Sequence, residues 1–400
     1  MTVQPMIYLD HHSTTPVDPR VIDAMRPWMI APANPHSDHA AGRAAAAAVD
    51  DALRIIADTI GTTPDNIVIT SGATESNNLA IRGVAMHPRQ RRHRIVTLPT
   101  EHPCVIDVTE QLTTEGFEVV HAAVDSAGRV EMDSLRELCT DQTALVSICW
   151  ANNEIGVVAD MSAIAEITHR CGAVLHSDAT QIVGRQPIHL ADQNVDLISA
   201  SSHKFYGPRG IGLVVLGSGP ARVRVRPQMI GGGQQRGRRG GTVDTAAVVG
   251  MATALRIAHE DLPAEQARLR SLRQQFWRIL QTGIEGLTDD AINGPSLAAD
   301  DRLVGNLNFQ LPNVEGAAWI TATDSVAFSS GSACSSVDPA PSHVLRAIGL
   351  TESAARRSVR FGLGRSTTEQ QIQTAADHLI ESYKRLVNPS STSASRSSPT

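Results

Sequence analysis

Lys204 is the residue whose type is hardest to explain except by chemistry. Of the 35 lysines and arginines in the chain, only Lys204 and Lys384 are lysine. A surface cation could be either type, because both carry charge at neutral pH. Only an amine can lose its proton at accessible pH and condense with an aldehyde, which a guanidinium cannot do. Lys384, in the amphipathic "HLIESYKRLV", reads as a solvated helix residue. Lys204 stands in "SASSHKFYGPRG" (199–210), after an apolar run and before a turn-forming stretch, where a reactive amine at a strand end would lie.

Other residues give that amine a context. Asp178, in "HSDATQ", precedes Lys204 by one strand–helix–strand step. An acid there can cap a helix opened by "DATQ". It can also pair with a protonated pyridinium nitrogen, because a nearby carboxylate favours the charged form. Lysine with an aspartate partner is the pattern that pyridoxal phosphate requires. In "TSGATESNN", Gly72, Ala73 and Thr74 lead into a helix whose exposed N–H groups could hold an anion, with Thr74 adding a hydroxyl. A plain capped helix reads the same way. His102, in "TEHPCV", could stack on a flat ligand or be structural. "WANNEIG" places Asn152 after an apolar strand, and Gln181 follows Asp178 closely.

Two stretches remain. "SSGSACSSVDPAPS" (329–342) sets Cys334 among Ser, Gly and Pro, whereas Cys104, Cys139, Cys149 and Cys171 adjoin apolar runs or helices. A thiol in such surroundings behaves as a small hydrophobe, so Cys334 is the one expected to be exposed, on a mobile loop. "IGGGQQRGRRGGT" (230–242) offers N–H groups and Thr242 to a phosphate, or reads as an Arg-Gly RNA-binding box. Such boxes usually occupy long disordered tracts, and this one is a single short loop in an acidic chain.

The elements that must position these groups follow from periodicity. Strands are expected at 66–70, 93–99, 116–124, 144–150, 172–179, 195–201 and 210–217, with helices at 74–86, 104–115, 131–139 and 161–171. This alternation predicts an α/β fold with a mostly parallel central sheet, functional residues gathering at the strands' carboxyl ends. After about residue 258 the pattern changes to a long helix from Pro263, the strand "RLVGNLNFQL" and shorter helices, read as a smaller α+β domain. The expected division is a large domain at 16–258 and a small one made of 1–15 and 259–387. The Ser-rich tail 388–400 lacks apolar periodicity and is expected to be disordered.

Bulk properties exclude several classes. With 41 acidic against 35 basic residues the net charge is −6, so no general attraction to nucleic acid is expected. No apolar run approaches the ~20 residues that span a bilayer. The start "MTVQPMIYLD" lacks the pattern of an export signal. Five cysteines without a CxxC pair fit reduced thiols in a cytoplasmic protein better than a disulfide or zinc framework.

Taken with "YLDHHSTTPVDPRV", "NPHSDHAAG", "NNEIG", "SSGSACSS" and "VRFGLGR", these motifs give a sequence that resembles the cysteine desulfurases of the class V aminotransferase superfamily, specifically the NifS/IscS group. The resemblance runs from about Ile7 to about Leu386. It implies the fold of the pyridoxal-phosphate-dependent transferases and a conversion of L-cysteine to L-alanine. It implies Lys204 as the lysine that carries the cofactor, Asp178 at the ring nitrogen and His102 stacked on the ring. Gln181 and Asn152 would lie near the phenolic oxygen and the substrate. Ala73, Thr74, Ser201 and His203 would hold the phosphate, with Thr242 reaching it from the other subunit of a homodimer. Asn34 and Arg360 match positions that bind the substrate carboxylate. Lys204, Cys334 and His102 form the implied catalytic set, Cys334 taking the sulfur as a persulfide and passing it to an acceptor protein for iron–sulfur cluster assembly or thiolation. No resident metal site is implied, although Cys334 could serve transiently as an iron–sulfur ligand.

Some positions depart from the family's commonest wording. Ser13 stands where Ala is usual, His36 where a small residue is usual, and Gln235 replaces a frequent acid; "TATDSVAF" is an unusual lead into the cysteine loop. None removes a group that the chemistry needs. Another reaction on the same scaffold, such as transamination or selenocysteine or cystine lysis, and a scaffold protein without turnover are the rival readings.

Overall fold

The computed structural model describes residues 6–217, 219, 223–330 and 340–388. Cys334 and all of the expected tail 388–400 except Asn388 lie outside these residues. Among them are twelve strands: β1 (Ile7–Tyr8), β2 (Ile67–Thr70), β3 (Arg94–Thr97), β4 (Glu118–His121), β5 (Thr143–Ser147), β6 (Val174–Asp178), β7 (Leu197–Ser201), β8 (Gly212–Leu216), β9 (Asn306–Gln310), β10 (Val326–Ala327), β11 (Ser329–Ser330) and β12 (Ser358–Gly362).

The main sheet has seven strands in the order β2-β8-β7-β6-β5-β3-β4. β5, β7 and β8 are buried at every position, as near-continuous apolar runs between two helical layers should be. The pairs β7/β6, β6/β5, β5/β3 and β3/β4 are parallel, whereas β8 runs antiparallel to both β7 and β2. The exception has a local cause. Only residues 202–211 join β7 to β8, too short for the crossover that a parallel partner needs, so the chain turns straight back. Lys204 sits on that turn. Two reversals restore direction, so the C-terminal end of β2 lies on the same edge as those of β3, β5, β6 and β7.

A second layer is built from β11-β12-β9, antiparallel throughout, with β1 paired in parallel to β10. Its core gathers Leu9, Phe276, Trp277, Phe309, Trp319, Phe361 and Leu379. The helix Thr245–Gly283 joins the two layers. Val248, Met251 and Leu255 pack on the main sheet's core, and Leu269, Leu272 and Phe276 on the second core. A helix beginning at Pro263 was the expectation. It begins earlier, because residues 245–262 carry their own apolar stripe, and Pro263 is accommodated inside it. The expected division at 258 thus falls within one helix, and the assignment of 16–258 against 1–15 plus 259–387 stands as a proposal.

Candidate active site

Five of the strand ends converge on a cavity of about 670 Å³. Its lining includes Ala73, Thr74, His102, Asn152, Asp178, Gln181, Ser201, His203, Lys204 and Arg360, all singled out in the sequence. The edge formed by parallel strand ends collects them, and β12 brings Arg360 from the second layer.

Lys204 is held by the N-terminal segment. Its Nζ donates to the carbonyls of His12 at 2.7 Å and Ser13 at 2.6 Å. Pairing of β1 with β10 and burial of Leu9 in the second core fix that segment. Ser13 makes its contact with Lys204 through its backbone, and it also lines the cavity. Burial, helped by the Arg185 and Arg360 guanidiniums, lowers the Lys204 pKa to about 8. Arg185 donates through Nε to the Lys204 carbonyl at 3.1 Å.

Asp178 ends β6 with both oxygens engaged. Oδ2 accepts from Asn77 Nδ2 at 2.8 Å, and Oδ1 from the Thr180 backbone at 2.9 Å. The alternative that "DATQ" opens a helix is corrected: residues after Asp178 form turns, so the carboxylate caps no helix and projects into the cavity. His102 caps the helix Pro103–Thr114, its Nδ1 accepting from the Cys104 N–H at 3.1 Å, and also lines the cavity. The structural reading of this histidine is therefore met, and the residue lies on the cavity wall. Packing of protein around the ring lowers its pKa.

At the other side of the cavity the helix Ala73–Ala85 begins without a side-chain cap. Gly72 precedes it at φ 150°, a conformation that a side chain disfavours, and a Cβ on Gly212 would lie 2.7 Å from the Gly72 Cα. The helix start thus opens to the cavity beside Ser201 and His203, whose Nδ1 lies 3.0 Å from the Thr14 hydroxyl. Burial lowers the His203 pKa to about 4. Asn152 is fixed by its Nδ2 donating to the Thr100 carbonyl at 2.9 Å, and Gln181 by its Nε2 donating to the His12 carbonyl at 2.9 Å.

Arg360 is 3% exposed and pairs through Nη2 with Asp10 at 2.9 Å and the Ser329 hydroxyl at 2.9 Å. Its Nε is buried without a partner, as is the Thr180 hydroxyl.

Two expected residues stand apart. Thr242 is exposed and Asn34 is exposed, its Oδ1 accepting from the His36 N–H at 2.9 Å; neither lines the cavity of the single chain. The 230–242 loop packs against the main sheet's edge. Gln235 pairs with both backbone groups of Ile69 at 2.6 and 2.8 Å, Arg239 with Glu75 at 2.9 Å, and Arg236 with Asp65. Cations so engaged are poorly placed for an RNA backbone.

Sequence reasoning passed over Asn77, His12, Arg185 and Glu101. Asn77 lay inside a quoted motif, one turn into its helix, but nothing in one sequence tells a core-facing Asn from a solvated one. Glu101 is fully buried; its Oε1 accepts from the Cys149 N–H at 2.7 Å, and burial pushes its pKa well above the carboxylate range.

The residues present fit pyridoxal phosphate: an uncapped helix start for a phosphate, an anchored carboxylate, a deprotonatable amine, and unpartnered Arg360 Nε and Thr180 Oγ1 beside the space left. Comparison with known proteins agrees. The Aminotransferase class-V family profile matches residues 7–374. A cysteine desulfurase IscS of Klebsiella pneumoniae is 44% identical over 384 residues, covering 95% of this chain and 93% of that protein. A solved NifS-like protein superposes with a TM-score of 0.87 at 31% identity, covering 95% and 99% of the two chains. SspA, solved in complex with cysteine, gives 0.78 at 33% identity over 89% and 98%. With nine-tenths of its length matched at this identity, and with the amine, the acid and the helix start meeting in one cavity, the chain belongs to the class V aminotransferase family, in its NifS/IscS cysteine desulfurase group.

Proposed function

We propose that this protein is a cysteine desulfurase which converts L-cysteine to L-alanine and leaves the sulfur on Cys334 as a persulfide. The observation that carries the reading is the placement of the Lys204 amine, with its pKa lowered to about 8, in one cavity with Asp178 and the buried Arg360.

Pyridoxal phosphate, on which the family depends, supplies when bound an aldehyde for the amine and an electron sink for the substrate's Cα–H bond. The helix start at Ala73 and Thr74, with Ser201 and His203, would hold its phosphate, and Asp178 its ring nitrogen. Arg360, which here donates to Asp10 and Ser329, would turn its guanidinium to the substrate carboxylate. Lys204, a weaker base than an ordinary lysine, takes the Cα proton near neutral pH. Cys334, as thiolate, attacks the substrate sulfur; an S–S bond forms as the C–S bond breaks. The bonding pair passes to the substrate Cβ, which takes a proton; Lys204 returns the proton to Cα, and alanine leaves.

The reading includes a homodimer, because Thr242 and Asn34 are exposed and unused by the cavity of one chain; Thr242 of the partner subunit would complete the phosphate site. Among the described residues no helix is long and apolar enough to cross a membrane. A cytoplasmic setting and a protein acceptor for the sulfur, an iron–sulfur scaffold or a thiolation factor, belong to the same proposal.

The test is alanine release from L-cysteine with a reductant present. Wild type should form alanine, and Cys334→Ala should retain pyridoxal phosphate while forming almost none. Undiminished alanine in the variant would move the sulfur step to another group. No alanine from either protein would favour transamination or a scaffold without turnover.

A further inference from the structure

A second pair of thiols lies at the far end of the strands that carry Asn152 and Asp178. Cys139 closes the helix Met132–Leu138 and Cys171 closes the helix Met161–Arg170. Each leads into the start of a central strand, β5 at Thr143 and β6 at Val174, and these strands are neighbours. Both cysteines line one surface pocket with Arg136 and Arg170, their thiols near enough to interact, and the Cys171 thiol also donates to the Thr168 carbonyl at 3.1 Å.

The surroundings polarise the pair. The Cys139 hydrogen bond is the main cause that lowers the Cys171 pKa to about 6, and the Arg92 guanidinium adds to it. Arg92 is anchored beside Cys171 by donation to the carbonyls of Cys171 at 3.0 Å and Gly172 at 2.7 Å. The same sharing pushes the Cys139 pKa upward. The contact thus favours the thiolate form at Cys171 over that at Cys139. A nucleophile beside a resolving partner, both half-buried and opening to solvent, is the arrangement that oxidation selects. The desulfurase reading makes no use of either residue.

We propose that Cys139 and Cys171 are a redox-active dithiol at which hydrogen peroxide closes a reversible disulfide. The Cys171 thiolate attacks a peroxide oxygen, the O–O bond breaks, and a sulfenic acid and hydroxide form. Cys139 then attacks the Cys171 sulfur, its proton leaving with the sulfenic oxygen as water. Two thiols and one peroxide give one disulfide and two waters, the sulfurs losing the two electrons that the peroxide gains. The bond staples the two turns that feed β5 and β6, away from the cavity. It joins side chains that share one pocket, at helix ends that continue into turns.

The test uses the full-length protein loaded with pyridoxal phosphate and treated with one equivalent of hydrogen peroxide. Free thiols are alkylated and the digest is read by mass spectrometry. The expected product is a linked peptide pair joining Cys139 to Cys171, two hydrogens lighter than its parts and separated by dithiothreitol. Cys139→Ser should abolish the link, leave Cys171 trapped by dimedone, and form alanine at the wild-type rate. Cys139 and Cys171 both alkylated under peroxide that oxidises any other cysteine would overturn the proposal, as would a disulfide joining a different pair. The wild-type digest decides the matter alone if the variant fails to fold.

Discussion

The backbone N–H of Cys104 donates to Nδ1 of His102 at 3.1 Å, and the Cys104 thiol lies 2.9 Å from the same nitrogen. A backbone N–H can only donate, so Nδ1 is an acceptor and a neutral ring carries its proton on Nε2. The lowered pKa of His102 keeps the ring neutral at physiological pH. Nitrogen NMR of labelled protein should then show a bare Nδ1 and a protonated Nε2 that persist below pH 6.5. Cys104→Ala, which keeps the backbone donor, should leave this pattern intact and change kcat/KM by less than about threefold. A protonated Nδ1 in wild type would refute the assignment.

Lys204 sets a second expectation. The neutral amine is the form that captures an aldehyde, and burial holds its pKa at about 8 where a free lysine has ~10.4. Apoprotein mixed with pyridoxal phosphate and quenched with borohydride should gain the cofactor's mass at a rate that climbs with pH and levels off above about pH 8. Lys204→Ala should gain none. A midpoint near 10 would mean that the amine is not desolvated in solution.

These two sites show what a single sequence makes legible. Lys204 and Asp178 could be found because a rare residue type and a strand-end position are both written locally. The seven strands of the main sheet were legible for the same reason, being short β-branched runs between helical patterns. The antiparallel entry of β8 was not, because it depends on the length of a connection rather than on any residue's preference. Asn77 and Arg185 were missed because their meaning lies in contacts made at long range. Asn77 anchors Asp178 from a helix that begins after β2, and Arg185 donates to the carbonyls of His11 and Lys204. Thr242 and Asn34 were marked through family resemblance, and their surface positions acquire a purpose only if a second subunit faces them.

Arg360 carries a prediction that separates binding from folding. It lines the cavity, is partnered by Asp10 and Ser329, and keeps its Nε buried without a partner. Loss of charge-assisted bonds to a carboxylate costs about 1.5–3 kcal/mol each, so Arg360→Gln should lower kcat/KM for L-cysteine roughly 100-fold, mostly through KM. Pyridoxal phosphate content should stay near one per chain. Wild-type KM in a folded, cofactor-loaded variant would assign the carboxylate to another group.

His176 makes stability depend on pH in a definite direction. It is fully buried between β5 and β7, Nδ1 lying 2.8 Å from the Ser147 hydroxyl and Nε2 3.0 Å from the Ser199 hydroxyl. Burial lowers its pKa to about 4, against ~6.5 in an unfolded chain. Between those values the unfolded state binds a proton that the native state refuses. The stabilisation is therefore complete above pH 6.5 and is lost as pH falls towards 4. His11, with its pKa also lowered to about 4 by burial, acts in the same sense. Glu101 opposes both, because its raised native pKa lets the folded state take up a proton before the unfolded one does. The net slope mixes these terms, and a substitution separates them. His176→Asn should flatten the dependence of unfolding free energy on pH by up to about 1.4 kcal/mol per unit between pH 4.5 and 6. Urea titrations of both proteins across that range measure the difference, and equal slopes would show that His176 protonates alike in the folded and unfolded chains.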